Sequence, residues 1–289
     1  MKIMIMTDME GVTGVHDHRK CCTADGCYYQ TSRKLLTLEV NAAIAGFFAG
    51  GATQITVATG HGYDSVDREL LDPRALMLHG HFDPIWPWGL DKEDFDALAY
   101  VGQHAKAGSD YAHLAHTGSF GAIDMRINGI SIGEYGGYGF CAWELGIPII
   151  FAAGDRALTR EAEALTPGVF TVAGKWGLVA DGGKSAELTA AEYSSFNLAA
   201  CHRSPEAVRA EIEKTARAAA EKLRRDPASF HYPDLQPPFR LVRIERGAGP
   251  GDPPTALYAE DPASYIACLN KLYTPEAKRM NLADLPAGV

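Results

Sequence analysis

No stretch of this 289-residue sequence holds the roughly 20 consecutive apolar residues that a membrane-spanning helix needs. The opening Met1-Lys2-Ile3-Met4-Ile5-Met6-Thr7-Asp8 is too short for the apolar part of a secretory leader and runs straight into acids. A membrane protein is not expected, and a cytoplasmic location is. Basic residues are outnumbered, 27 against 36 acidic, for a net charge of −9, and no basic stripe is visible. Such a surface repels phosphate backbones, so nucleic acid is not the expected partner. The six cysteines (Cys21, Cys22, Cys27, Cys141, Cys201 and Cys268) form no C-x-x-C pair. Free thiols are therefore expected, and the Cys21/Cys22/Cys27 cluster lacks the second half of a zinc knuckle. Internal repeats and low-complexity tracts are absent too, so the chain reads as globular.

Apolar residues make up 46% of the chain, enough for a sizeable core. Residues 2–7 form a β-prone run. Leu36, Val40, Ala43, Ile44 and Phe47 then fall on one helical face, predicting a helix over 32–50 that stops at Gly50-Gly51. Residues 54–59 read as a buried strand. This β-α-β order predicts a parallel sheet with crossover helices. Further strands are expected at 97–102, 147–153 and 239–244, and helices at 138–145, 155–165, 204–225 and 262–272. Asn128-Gly129 predicts a tight hairpin across 126–132. The proline-rich stretch 83–89, with Trp86 and Trp88, and the Gly/Pro-rich stretch 246–254 read as loops. The expected fold is α/β: a three-layer, mostly parallel sheet core with a smaller C-terminal α+β portion. The boundary falls between a metal-binding core at 1–170 and a portion at 171–289 packed on it, where the pattern turns helix-heavy.

Chemistry gathers at the strand ends. Asp8 and Glu10 follow the first strand two positions apart, hence on one side of it. Two such carboxylates repel unless a cation or proton intervenes, and open α/β sheets carry their sites beyond the carboxyl ends of the strands. A solvated strand end is the bland alternative. His61, between Gly60 and Gly62, follows the second strand, and His104 follows the strand at 97–102. Glu134 follows the hairpin, where it also suits the first turn of a helix. His113 and His116 lie close by and suit acid–base work. His79-Gly80-His81 fits a lid or interface better than a metal site. Gly129-Ile130-Ser131-Ile132-Gly133 matches G-x-S-x-G, but that motif needs a strand-to-helix elbow, and Asn128-Gly129 places Ser131 in a hairpin strand instead.

Asp8-Met9-Glu10-Gly11-Val12-Thr13-Gly14 resembles the opening motif of the D-aminopeptidase (DppA-type) family of zinc peptidases. The resemblance continues through Thr59-Gly60-His61, Val101-Gly102-Gln103-His104, His116-Thr117, Ile127-Asn128-Gly129, Gly133-Glu134 and Ala152-Ala153-Gly154-Asp155, up to about residue 160. It implies two zinc ions per chain held by Asp8, Glu10, His61, His104 and Glu134, with Asp8 as the bridge. His116 maps onto the catalytic histidine. Ring-shaped homo-oligomers, decameric, with the portion 171–289 contributing to assembly, are implied as well. The stretch from His104 to His116 is one residue longer than the usual pattern, which leaves His113 as a rival. The Cys-rich segment 20–29 and the Trp86/Trp88 loop also depart from it.

The expected function is that of a zinc-dependent aminopeptidase. It would cleave small peptides with a free amino terminus, D-amino-acid-containing by resemblance, using a metal-activated water and His116. Mn2+ or Co2+ would suit the same ligands. Three alternatives stay open: a non-peptide small-amide hydrolase on the same site, a serine hydrolase using Ser131, and a non-catalytic ring-forming binding protein.

Overall fold

The structure is a computed structural model that describes all residues except 63, 248, 250 and 287. The described chain runs β1 (Lys2–Thr7), α1 (His18–Cys21), α2 (Tyr29–Ala49), β2 (Gln54–Thr59), β3 (Leu76–Leu78), β4 (Ala97–Gln103), β5 (Ala122–Ile127) and β6 (Ile130–Ser131). It continues through α3 (Glu134–Glu144), β7 (Ile149–Asp155), α4 (Arg156–Leu165), β8 (Phe170–Gly177), α5 (Ala190–Phe196) and β9 (Ala200–His202). The last elements are α6 (Pro205–Arg225), β10 (Phe239–Glu245), β11 (Thr255–Asp261), α7 (Tyr265–Leu272) and β12 (Lys278–Asn281).

Seven strands form the main sheet in the order β3-β2-β1-β4-β7-β8-β9. All neighbours are parallel except β9, which returns antiparallel to β8. β4 and β7 are buried along their whole length, the pattern of parallel strands covered on both faces. Alternate residues of β1 serve opposite faces. Ile3 and Ile5 pack with residues of α2 and α6, whereas Met4 and Met6 pack with residues of α3, α4 and α7. A second, antiparallel sheet, β12-β11-β10-β5-β6, joins the latter layer. The two sheets do not split the chain at one point. β5 leaves the first half to pair with β10 and carries β6 at the sheet's edge, while β8 and β9 extend the main sheet.

The hairpin forms as expected, with Asn128 at φ 48° and Gly129 at φ 81°, both in the left-handed region that a type I′ turn demands. α3 begins at Glu134, four positions before the helix expected at 138. Gly136, Gly137 and Gly139 are poor helix formers and mask that first turn in the sequence, but Tyr135 is fully buried there and anchors it. The portion after 171 carries β8 to β12 as well as α5 to α7. β11 (TALYAED) has little β-propensity of its own, yet it pairs with β10 over seven positions. Positions 248 and 250 of the expected loop 246–254 lie outside the described residues. Among the described residues, no helix is long and apolar enough to cross a membrane.

Register sets the site. Thr7 of β1 lies opposite Thr59 of β2 and Val101 of β4, so the three strands end at one level. Asp8, His61 and His104 each follow within a few residues.

Candidate metal centre

Two glycines let the strand-end loops close on each other. Gly11 donates to the Gly102 carbonyl at 2.7 Å, and a Cβ on Gly11 would stand 1.9 Å from the Gln103 carbonyl oxygen. Gly102 sits at φ 80°, where a Cβ would meet the Asp8 carbonyl oxygen at 2.0 Å. No other residue fits either position. This packing turns Asp8, Glu10 and His104 into one buried group, exposed by 5%, 1% and 2% respectively.

The polar atoms of the expected site residues converge. His61 Nδ1 lies 3.1 Å from Asp8 Oδ1 and 2.9 Å from Glu10 Oε2. His104 Nε2 lies 3.3 Å from Asp8 Oδ2 and 3.5 Å from Glu134 Oε1. His116 Nε2 stands 3.7 Å from the same Glu134 oxygen, and its ring stacks on that of His104 at 4.0 Å. Candidate ligand atoms of Asp8, Glu10 and His104 fall within 4.8 Å of one another, as do those of His104, His116 and Glu134. All six expected residues therefore meet at one edge of the main sheet.

The imidazoles share one arrangement. His61 Nε2 donates to the Cys22 carbonyl at 2.8 Å, His104 Nδ1 to the Ala105 carbonyl at 2.9 Å, and His116 Nδ1 to the Leu114 carbonyl at 2.9 Å. A carbonyl can only accept, so in each neutral ring the proton belongs on that nitrogen. The other nitrogen then presents a lone pair to the carboxylates, which is the orientation of a metal-ligating histidine. A lone pair facing a carboxylate is repulsive unless a proton or a metal cation lies between them. Both Glu10 oxygens and His104 Nε2 are buried without a hydrogen-bond partner. Orphaned buried charge costs several kcal/mol, and a divalent ion would relieve it.

The titration pattern agrees with crowded negative charge. Burial, then the Glu10 charge, pushes Asp8 up to about 7. Burial works against charge on Glu10 as well, but His61 overrides it and holds this carboxyl well below its ordinary range. Burial disfavours protonated His104 and His61, yet Glu134 and Asp8 for the one, and Glu10 and Asp8 for the other, raise both well above 6.5. His116 differs: burial and the neighbouring His104 press it down to about 4, so it is neutral near pH 7.

Two site neighbours are absent from the expected set. Gln103 Nε2 donates to Asp8 Oδ2 at 2.8 Å and orients that carboxylate. His18, on α1, brings Nε2 to 3.4 Å from Glu10 Oε1 and its ring to 4.9 Å from Phe120. Gln103 lies within Val101-Gly102-Gln103-His104 but offers no titratable group, and a four-residue helix leaves no periodicity to betray His18.

The remaining candidates sit elsewhere. His113 is fully buried, 5.3 Å from the His202 ring, and burial with the Lys175 charge presses it down to about 2. Ser131 lies in β6, as the hairpin argument required, with no strand-to-helix elbow. Its hydroxyl donates to Asp124 at 2.6 Å and accepts from Lys106 at 2.6 Å, so it bridges two charges and faces no histidine base. All six cysteines are free. Burial raises the Cys22 thiol, and Cys22 serves the site through its carbonyl rather than its sulfur. Among the described residues, His79 and His81 belong to no ligand cluster.

The chain is similar to known proteins. A D-aminopeptidase from Bacillus subtilis (strain 168) is 32% identical over 177 residues, 61% of this chain and 64% of that relative's length. The structure of the Zn-dependent D-aminopeptidase DppA from Bacillus subtilis, described as a self-compartmentalizing protease, superposes with a TM-score of 0.72 at 22% identity. That likeness covers 94% of this chain and 96% of the other, and it shows the shared fold. The profile of the D-aminopeptidase family matches residues 1–244, from β1 into β10. The chain belongs to the D-aminopeptidase family.

Proposed function

We propose that this chain is a zinc-dependent aminopeptidase that cleaves small peptides with a free amino terminus, D-amino-acid peptides among them. Family membership supports the class. The observation that carries the reading is the set of imidazoles, each tied to a carbonyl by one nitrogen and turned toward the carboxylates of Asp8, Glu10 and Glu134 by the other, with both Glu10 oxygens left without a hydrogen-bond partner.

Asp8, Glu10, His61, His104 and Glu134 would hold two zinc ions, with Asp8, set between His61 and His104, as the shared ligand. Bound zinc supplies a water of lowered pKa and a Lewis acid for the scissile carbonyl. The rest falls to the chain. His116 enters neutral, with Nδ1–H fixed by Leu114 and the Nε2 lone pair turned to the site. Nε2 therefore takes the proton of the attacking water and returns it to the leaving amine. Being neutral at the start, His116 suits proton transfer better than donation to an oxyanion. The Leu114 carbonyl and the stack on His104 at 4.0 Å hold the His116 ring within reach of the site.

Assembly into a ring-shaped homo-oligomer, a decamer, with contacts from the portion 171–289, belongs to the same proposal. Its support is the self-compartmentalizing character of the structural neighbour and the exposed edge strand β12. Sedimentation of the purified chain tests it, and a monomer at micromolar concentration would refute it.

The catalytic test is hydrolysis of a panel of D- and L-aminoacyl amides and dipeptides, with and without chelator. Cleavage that stops on chelation and returns with zinc is expected. His116→Ala is expected to lose about 10²- to 10⁴-fold in kcat while keeping its zinc. Near-normal turnover by that variant would refute the proton-transfer role. Cleavage that survives thorough chelation would refute the metallopeptidase reading.

A further inference from the structure

A cavity of about 260 Å³ borders the metal cluster and is not used by the reading above. Asp8, Gln103 and Glu134 line it, and so does a contiguous apolar wall built from Trp86, Trp88, Met125, Tyr138, Leu269 and Tyr273. The wall is a built feature. Trp86 stands 6.0 Å from the Tyr138 ring, 6.1 Å from Trp88 and 6.3 Å from Tyr273. Trp86 and Trp88 come from an irregular loop, and α7 pins that loop from both sides. The Trp86 backbone N–H donates to Asn270 Oδ1 at 3.1 Å, and Asn270 Nδ2 donates to the Trp86 carbonyl at 3.0 Å.

The glycines of α3 show that the space is kept open. A Cβ on Gly136 would press on Ile132 and Leu165 at 2.9 Å, and one on Gly139 on Ile149 at 2.9 Å. Those two glycines are explained by close packing. Gly137 is not: it lines the cavity, and a Cβ there would meet nothing within 4 Å. Alanine is the better helix former at such a position, so packing and helix propensity alone would both favour it. What a side chain at 137 would obstruct is the cavity itself.

We infer that this cavity receives the side chain of the substrate's amino-terminal residue and selects a large apolar or aromatic one. The inference rests on the aminopeptidase reading and names the substrate class of that same site. A dry apolar cavity of about 150 Å³ already admits a benzene ring. A methyl side chain would leave most of the aromatic wall in contact with nothing, and would forgo the burial that a phenylalanine, tryptophan or leucine side chain gains.

The test measures kcat/KM of the zinc-loaded full chain on alanyl, leucyl, phenylalanyl and tryptophanyl amides, in both D and L configurations. In the better-accepted configuration, phenylalanyl over alanyl is expected to be favoured at least about tenfold. Gly137→Ala puts a methyl group into the cavity and is expected to cut that ratio about tenfold. Trp86→Ala removes part of the wall and is expected to lower the same ratio. Zinc content and thermal midpoint are read for both variants, so that a folding defect in one leaves the other decisive. An alanyl preference, or a ratio that neither variant moves, overturns the inference while leaving the aminopeptidase reading intact. Failure of the zinc-loaded chain to cleave any member of the panel overturns both.

Discussion

Glu10 and Asp155 are buried carboxylates near strand ends of the same sheet, and their surroundings are opposite. Asp155, the last residue of β7, accepts from the backbone N–H groups of Ala105 at 3.1 Å, His113 at 3.3 Å and Leu158 at 3.1 Å. It caps α4 and ties the β4 end to the loop carrying His113. Glu10 has no hydrogen-bond partner on either oxygen, and its oxygens lie 2.9 Å from His61 Nδ1 and 3.4 Å from His18 Nε2. Lys175 repeats the Asp155 solution nearby. It is fully buried, with Nζ donating to the Val15 carbonyl at 2.8 Å and to the Glu10 carbonyl. Burial lowers it to about 8 without leaving it unsatisfied. Buried charge alone therefore does not mark a site in this molecule. Charge that the chain satisfies itself is architecture, and charge left without a partner asks for something the chain does not supply.

The largest effect expected from this contrast is on activity. Glu10→Gln removes an unpartnered ligand, so kcat/KM should fall at least about 10³-fold, with zinc content falling too. Activity within tenfold of the unaltered chain would place Glu10 with Asp155 as a structural group. Asp155→Ala should show the converse. It orphans three backbone donors and is expected to cost about 3 kcal/mol of stability, read by urea unfolding of the metal-free protein. Glu10→Gln should cost the metal-free protein less than that. If the two costs are reversed, the contrast fails.

Gln103→Ala probes the intermediate case of a group that touches Asp8 and not the substrate. It should weaken zinc affinity or activity by about 10- to 100-fold, as losing a partner that orients a ligand does. No change in metal affinity would reduce Gln103 to packing.

The smallest effect concerns pH. Burial raises Glu39 to about 7 from 4.5, against the pull of the Thr13 hydrogen bonds. The folded state thus holds this proton to higher pH than the unfolded chain does. Its contribution is fully present below about 4.5, declines as pH rises and is lost above about 7. Glu39→Gln can still accept from the Thr13 N–H, and should flatten that part of the stability profile between pH 5 and 7.5. A profile unchanged by the substitution would contradict the assignment.

The sequence was most informative where a single physical pattern dominated. β1, β2 and β4 are apolar runs buried on both faces, and each ends in a ligand-type residue. Their parallel register converts separate strand ends into one site, which is why Asp8, His61 and His104 could be grouped before their distances were known. Glu134 and His116 were candidates from position alone, but their roles rested on the family resemblance, because a glutamate at a helix start has an ordinary structural role and His113 rivalled His116. The misses share a cause: tertiary contacts overrode local preference. α3 begins under three glycines because its neighbours require close approach or open space. β11 is a strand because β10 templates it, and the second sheet draws its β5 and β6 from far upstream in the chain. His18 reaches Glu10 from a single helical turn that no periodicity announces.

The central claim is that the buried carboxylate–histidine cluster at the end of β1, with Glu10 unpartnered within it, is a zinc site. Metal analysis of the gently purified full chain, alongside Glu10→Gln, tests it most directly. The account predicts about two zinc ions per unaltered chain and fewer than one in the variant, with folding retained. Fewer than one ion in the unaltered chain, or equal zinc in the two proteins, would contradict it.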